Sequence, residues 1–450
     1  MRPTLGLVFM LAACSVDDGI LGGLNAGGAG NAGAGGAVSV GRCEPGPLVT
    51  LASRDTSASY SACTGRVAAA HFLNALCSCG DARFGNFLQT RGFDSSRGPF
   101  RSGQPDDSGA SVGVNGEYVL AAGFTDVGGS LSLAGSGGPT LAGSLQVRGD
   151  FRCAGDVTVT GAATVARNAW LAGDLMALGS FNVVGALHHQ GSVRALLLSS
   201  GSESEEPVSV AEPCACAPSD RLDVASLVTG AAKDNDDALA GILPSALAGV
   251  DGKATLSLPC GRYFLDRIAG SGDVTLALSG PTALFVSDGI ELDGSLRVVG
   301  AAGAELDLFV AGEVHVTGAV SLADSARPAA GRMYVSGARE ISLVSPWVGN
   351  LYAPAARVSA SSPLEVWGSI FAGDFQSSAS ASFVFDRAVL NAGSACGTPN
   401  PPPGSCSRCG WCSGGTACVA GVCSACRSDD DCCSQSVCSN GSCVALVEVR

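Results

Sequence analysis

The chain has 450 residues, a formal net charge of −14 and only 15% charged residues. Because phosphate backbones are bound by basic surfaces, this acidic balance argues against nucleic acid as a partner. Glycine is abundant, with 63 residues, whereas aromatic residues make up only 6%. Such a composition suits thin layers of small side chains rather than one bulky core.

Residues 1–13 predict a signal peptide. Arg2 supplies the positive start, and the apolar stretch that follows is shorter than the roughly 20 residues that span a bilayer. Its end, LAAC at 11–14, resembles the bacterial lipobox. The resemblance implies that Cys14 is lipidated. Because Ser15 and not aspartate follows, it also implies a lipid anchor in the outer membrane, facing the cell surface or the periplasm. An ordinary secretory peptide with a chance cysteine is the alternative.

The next two segments predict a tether and a cap. Residues 14–41 are rich in glycine and alanine, a composition typical of flexible linkers. Residues 42–105 are predicted to form a cysteine-containing helical cap region. Within them, Ala68, Phe72 and Leu76 recur at helical spacing, which predicts a helix over 61–79.

The body of the chain repeats short, glycine-flanked strands. The segments Gly129-SLSLAG and Gly155-DVTVTG precede Gly272-DVTLALSG and Gly312-EVHVTG, and all alternate apolar with polar residues. This repetition predicts an all-β fold, a β-solenoid of the parallel β-helix kind, with its first part at 106–200 and its second part at 251–396. A sandwich or jelly roll remains the alternative. His315 is expected on the outer face of its strand.

Residues 201–250 are predicted to form a loop and helical insertion. An acidic stretch at 202–212 leads to Cys214-Ala-Cys216, then to a helix capped by Ser219 and another helical turn at 238–243. The two C-x-C pairs, 77/79 and 214/216, are expected to tether the helices to the solenoid. A redox-active pair is the alternative.

Nineteen cysteines remain besides Cys14, and in an exported chain they are disulfide candidates. Nine lie in the body, and because nine is odd, one of these is free or pairs across modules or between molecules. The body candidates are Cys43, Cys63, Cys77, Cys79, Cys153, Cys214, Cys216, Cys260 and Cys396.

The last ten cysteines define a small C-terminal module at 406–450, after a proline-rich linker at 397–405. Spacings recur within it, which predicts two tandem units held by disulfides. The segment CRSDDDCCSQSVCSNGSC resembles knottin-like, cysteine-rich repeats of secreted proteins. Zinc is the alternative, but no metal or cofactor is predicted. The candidates here are Cys406, Cys409, Cys412, Cys418, Cys423, Cys426, Cys432, Cys433, Cys438 and Cys443.

The stretch from 212 to 390, with EPCACAPSDRLDVASLV, LPCGRYFLD and LEVWGSIFAGDF among its segments, resembles uncharacterised bacterial surface lipoproteins. Their β-rich domain has no known function, and related domains occur in pilus-associated envelope proteins. The resemblance implies a β fold and an envelope location, and it supplies no catalytic residues.

Catalytic signatures are sparse. The sequence shows neither a Gly-x-Ser-x-Gly elbow nor a phosphate-binding Walker loop. The adjacent His188 and His189 point to opposite sides of a strand, and Asp386-Arg387 is expected to be a strand-edge ion pair. We therefore expect a non-catalytic surface lipoprotein with a structural or adhesive role, whose partner is a surface glycan or protein. An envelope or pilus assembly component and a polysaccharide-degrading β-helix enzyme are the alternatives.

Overall fold

The computed structural model describes residues 50–51, 62–103 and 108–396, together with four short strands between 417 and 445. In the body, parallel strands coil around a common axis and stack into a three-sided β-solenoid. This confirms the predicted fold class, including its short helical insertions. The predicted tether and the predicted signal peptide lie outside the described residues.

The strands of the first half of the body are short at first and then merge into two long ones. They are Leu76–Ser78, Ala82–Phe84, Leu88–Phe93, Val112–Val114, Tyr118–Leu120, Phe124–Val127, Leu131–Leu133, Thr140–Leu141, Ser144–Val147, Phe151–Cys153, Val157–Val159, Ala163–Val165, Ala169–Leu171, Leu175–His189 and Val193–Glu205.

The second half repeats the pattern. Its strands are Lys253–Leu258, Gly261–Leu265, Ile268–Gly270, Asp273–Leu278, Thr282–Val286, Gly289–Leu292, Leu296–Gly300, Leu306–Val310, Glu313–Val316, Val320–Ser321, Gly331–Val335, Ile341–Ser342, Trp347–Ala360, Leu364–Ser377 and Ala381–Asp386.

In the part of the chain that the structure describes, three α-helices and three 3₁₀ helices accompany the strands. The α-helices are α1 (Thr64–His71), α2 (Val224–Ala231) and α3 (Asp237–Ala240), and the 3₁₀ helices are Ser95–Arg97, Pro328–Ala330 and Arg387–Cys396.

Each coil contributes one strand to each of three faces. In one coil, Asp273–Leu278 lies on the first face, Thr282–Val286 on the second and Gly289–Leu292 on the third. Alternate residues point inward, so apolar side chains of successive coils stack inside. Close stacking demands small residues at the corners. A Cβ added to Gly143 would collide with the carbonyl oxygen of Gly123 on the coil below.

The two halves of the chain form one continuous stack. The strand Leu76–Ser78 pairs in parallel with 370–372, and Ala82–Phe84 pairs with 375–377. The strand Leu88–Phe93 then pairs with Ala381–Asp386. One coil, which we call the seam coil, is therefore built from Ala381–Asp386 on the first face and from 76–84 on the other two. The stack runs from 253 to 386 and continues from 76 to 205.

Residues 206–252 must return along the length of this stack, and the disulfides fasten them to the seam coil. Cys77 is bonded to Cys214 and Cys79 to Cys216. The first cysteine of one C-x-C motif is thus bonded to the first of the other, and the second to the second. They hold the returning segment against the second face of the solenoid.

Helices α1 and α2 cover an aromatic row on the outer side of the second face. Phe285, Phe309 and Tyr334 stack with ring centroids 5.0 and 4.7 Å apart. Phe72, just beyond α1, contacts Tyr334, and the Tyr352 hydroxyl accepts a hydrogen bond from the Leu222 amide before α2. Every residue from Leu284 to Val286 is buried, because the interior of the solenoid covers one side of this strand and the helices cover the other.

The two ends of the stack differ. At the start, the Arg262 amide donates to Asp236 Oδ2 at 2.8 Å and the Asp236 amide donates to the Arg262 carbonyl. Val250 also forms a bridge with Gly270. The returning segment therefore caps two of the three faces at this end. At the other end, Val193–Glu205 pairs with Leu175–His189, and no other described strand lies against it.

Three sequence predictions need correction. Within the predicted cap region 42–105, the described strands between 76 and 93 do not cap an end, because they lie in the interior of the stack. The helix predicted over 61–79 ends at His71, since Leu76–Ser78 gains the ladder hydrogen bonds of two neighbouring coils. The cap of α2 is Asp223, whose carboxylate accepts from the Ser226 amide, and not Ser219.

The C-terminal module is described only as two antiparallel strand pairs. Ala417–Val419 pairs with Val422–Ser424, and Ser436–Ser439 pairs with Ser442–Ala445. Cys418 lies opposite Cys423 in the first pair, and Cys438 lies opposite Cys443 in the second. The same cysteine spacing therefore gives the same strand pairing twice.

Candidate functional site

A cleft of about 430 Å³ opens at the corner between the first and second faces, in the second half of the body. The connection across this corner lengthens from coil to coil. It joins Leu258 to Gly261, then 278 to 282, then 300 to 306 and finally 321 to 331. Since a tight coil needs only a few residues there, the extra ones bulge outward and leave a hollow between two successive corners.

The cleft has an apolar floor and a rim of mixed charge. Leu278, Val298 and Leu322 contribute to the floor, and all three are buried. The rim carries two guanidinium groups, two carboxylates and two hydroxyls. These come from Arg297, Arg327, Glu305, Asp324, Ser321 and Ser325.

A buried ion cluster supports the rim from behind. Arg332, with a side chain only 2% exposed, donates to both carboxylate oxygens of Asp307, from Nε at 2.6 Å and from Nη2 at 2.8 Å. It also donates to Glu305 Oε2 at 2.8 Å and to the Ala329 carbonyl at 2.9 Å. Arg332 thereby joins both long corners that form the cleft.

Electrostatics keeps the guanidinium group of Arg332 charged. Burial alone would lower the pKa of Arg332, but the charges and hydrogen bonds of Asp307 and Glu305 outweigh burial and raise the pKa well above its ordinary value. Burial, and secondly the charge of Asp307, raise the pKa of the neighbouring Tyr334, which donates to Asp307 Oδ1 at 3.3 Å. Arg332 is therefore held as a cation and Tyr334 as a neutral phenol.

Glu305 is the member of the cluster that reaches the cleft. Its carboxylate lies 2.8 Å from Arg332 and 4.0 Å from Arg327 at the rim. A carboxylate held between two guanidinium groups is a fixed hydrogen-bond acceptor. Together with Arg297 and the serines, it can bind a polar ligand by several directed hydrogen bonds, while the floor takes up an apolar surface.

The histidines lie apart from the cleft. His315 is half-buried on a strand whose Val314 and Val316 are buried, as predicted. His188 and His189 do point to opposite sides. His188 stacks on Trp170 and bonds Glu206, whereas the buried His189 bonds the Gly191 carbonyl and Glu203.

Asp386 corrects another prediction. It was predicted to form an ion pair at a strand edge, but its side chain is fully buried. Its Oδ1 accepts from the amides of Ser95 and Ala388, and its Oδ2 accepts from the Ala329 amide. One carboxylate thus ties three chain segments at the seam. The sequence does not reveal this, because the donors are backbone groups far apart along the chain.

The cysteines of the body divide into bonded and free. Besides the two links already described, Cys260 is disulfide-bonded. Among the body cysteines whose side chains are described, Cys153 is free and fully buried. The lipidation candidate Cys14, the candidate Cys43 and the side chains of Cys63, Cys396 and the ten tail cysteines lie outside the described residues.

The sequence patterns missed the cleft. Its residues belong to no motif, and the available signal is the growing distance between equivalent strands around 301–305 and 322–330. Among the described side chains, no group of three His, Cys, Asp or Glu is placed to hold a metal ion. None of the helices in the described ranges combines the length and apolar character needed to cross a bilayer.

Comparison with known proteins places the cleft inside a recognised domain. Searches of curated proteins and of solved structures find no match to the chain. A family model described as a domain of unknown function (DUF7305) matches residues 208–392. The match covers the returning segment, the cleft and the second half of the solenoid. Residues 208–392 are therefore similar to this uncharacterised domain family.

Proposed function

We propose that the protein is a non-catalytic, lipid-anchored surface protein of the outer membrane with an adhesive role. In this proposal the anchor and tether hold the solenoid away from the bilayer, and the cleft at 297–330 binds a surface glycan or a segment of a surface protein. The observation that carries the proposal is the cleft itself, an irregular and charged hollow in an otherwise regular stack.

The shape of the solenoid supports such a role. With neighbouring strands about 4.8 Å apart, about a dozen coils extend roughly 55–60 Å. The covered second face and the seam coil join both halves into one body, so that a cleft in the second half is presented on a firm support. A volume of about 430 Å³ is within the usual range for small-ligand sites, about 300–1,000 Å³.

The chemistry of the rim fits a hydroxyl-rich or peptide-like ligand. Two guanidinium groups balance two carboxylates, so the cleft has no strong preference for a charged ligand of one sign. Hydroxyl and amide groups both donate and accept, and they can therefore bond Arg297 and Glu305 at once. The buried ion pair of Arg332 keeps Glu305 in place without requiring the ligand.

The test uses the mature chain with Cys14→Ser, applied to a glycan array and to a pull-down from envelope extract. The double variant Arg297→Ala/Arg327→Ala removes both cations of the rim and is expected to lower retention at least tenfold. The matched control Arg101→Ala/Arg339→Ala removes two exposed arginines outside the cleft and should bind normally. Equal binding by both variants, or release of reducing sugars from a polysaccharide panel, would contradict the proposal.

A further inference from the structure

The uncapped end of the solenoid carries the largest concentration of exposed apolar side chains in the described residues. Leu196, Leu197 and Leu178 are 76, 68 and 59% exposed. They lie at the corner between the third and first faces of the last two coils. Solvent-exposed leucines in neighbouring positions are costly unless another surface covers them. The other members of this group are Met176, Val184 and Leu198.

The same end exposes a strand edge. Val193–Glu205 pairs with Leu175–His189 along one side, and its other side meets no described strand. Edge strands present free amide and carbonyl groups, which only another polypeptide strand satisfies in a regular way. Natural edges are often protected by lysine or proline, and 193–205 contains neither.

The segment 193–206 carries three glutamates against one arginine, Arg194, and this net negative charge specifies the kind of strand that fits. Glu203 and Glu205 occupy the register of Leu187 and His189, at the open end of the second face. Glu206 follows them, and all three are exposed. His189 contacts Glu203 and His188 contacts Glu206, whereas Glu205 makes no ion pair among the described residues. A strand that docks there meets leucines along one part and glutamates along another.

We propose that the edge 193–205 is a docking site for an extended strand of a separate protein, in which apolar and basic residues alternate. A second copy of the chain fits less well, because it brings the same glutamates and a net charge of −14. At the opposite end of the stack, Asp236 and Val250 cap two of the three faces, so head-to-tail stacking of copies is blocked on those two faces. This surface is distinct from the cleft and does not depend on the proposed function.

The experiment measures binding of labelled ten-residue peptides to the mature chain by fluorescence anisotropy. A peptide of alternating valine and lysine is expected to bind. The same peptide with glutamate for lysine, and a version with alternate amides N-methylated, are expected to bind at least tenfold more weakly. The first comparison reports the charge requirement, and the second reports the backbone hydrogen bonds of strand addition.

Variants locate the site. Leu197→Lys and Glu205→Lys should each weaken binding of the valine–lysine peptide at least fivefold. Leu243→Lys, at a leucine that is also 68% exposed, and Glu365→Lys, on an exposed strand position, are the matched controls and should have no effect. Because all four positions are exposed, folding is not at stake.

Three outcomes would overturn the inference. The valine–lysine peptide fails to bind, or the glutamate peptide binds equally well, or the controls weaken binding as much as the edge variants. Sedimentation of the peptide-free chain adds a fourth, since a dimer abolished by Leu197→Lys would make a second copy the occupant. Variants of the cleft leave this binding unchanged, so that failure here and failure of the adhesive role are distinguishable.

Discussion

Leu76 and Ile370 are paired neighbours in one parallel sheet, although one opens the first half of the body and the other stands near the end of the second. Their pairing, with that of Ala82 and Phe375, makes the solenoid continuous across a break in the chain. The connection 206–252 is therefore a return path and not a part of the stack. This arrangement leads to the first two predictions.

Cutting the return path should not separate the halves. A site-specific protease sequence inserted after the exposed Ser209 is expected to give two fragments that stay together, because the seam strands and two disulfides join them. Size-exclusion chromatography of the cut chain should show one species at the uncut volume, with and without reductant. Separate fragments under reducing conditions would mean that the seam pairing alone is too weak to hold the halves.

The two disulfides should be strongly non-additive. Each spans 137 residues, and in the chain-entropy view a loop of that length is worth about 4–5 kcal/mol. Either bond alone closes that loop, so Cys214→Ser or Cys216→Ser should cost at most about 2 kcal/mol each. The double variant should lose most of the total. Urea unfolding of the three variants checks this, and equal, additive losses would contradict it.

The ion cluster behind the cleft should respond differently to single and double substitution. Arg332→Leu leaves Asp307 buried without its partner, which should cost about 3–5 kcal/mol. Arg332→Leu/Asp307→Leu removes both charges and should be clearly more stable than the single variant. Denaturant midpoints measure both. If the double variant is the less stable of the two, the pair is not what holds this corner.

Alkaline pH should destabilise the folded chain. Burial raises the pKa of the Cys153 thiol to about 12, and burial, then Asp236 and Asp237, raise the pKa of Tyr263 to about 12. In the unfolded chain such groups ionise near pH 9–10. The folded state therefore keeps protons that the unfolded state loses. The stability contributed is complete below about pH 9 and is lost as the pH rises towards 12.

The variant Cys153→Ala isolates the contribution of the Cys153 thiol to the loss of stability at alkaline pH. Above its unfolded pKa, the buried thiol is expected to cost about 1.4 kcal/mol of stability per pH unit, and the variant lacks this slope. Urea midpoints of both proteins at intervals from pH 8 to pH 11 measure the difference. Parallel curves would show that Cys153 does not titrate with unfolding. In the folded protein at pH 8, a thiol reagent should leave Cys153 unmodified.

The sequence predicted what depends on local pattern. Apolar and polar residues that alternate between glycines predict the strands, because one side of each strand is buried and the other faces solvent. Val314, His315 and Val316 show this pattern. Closely spaced cysteines pointed to disulfides, and the odd number in the body left one thiol either free or paired across modules or between molecules. These features repeat within about 20 residues, and a single coil already contains them.

Only the tertiary structure decided how the pieces join. Leu76 pairs with Ile370, Cys77 bonds Cys214, and Asp386 accepts amides from three segments, and none of these partners can be read from its neighbours in sequence. The helix predicted through Leu76 ends early, because the seam offers that segment strand partners on both sides. The cleft likewise arises from two successive corners, whose growing length matters only once the coils are stacked.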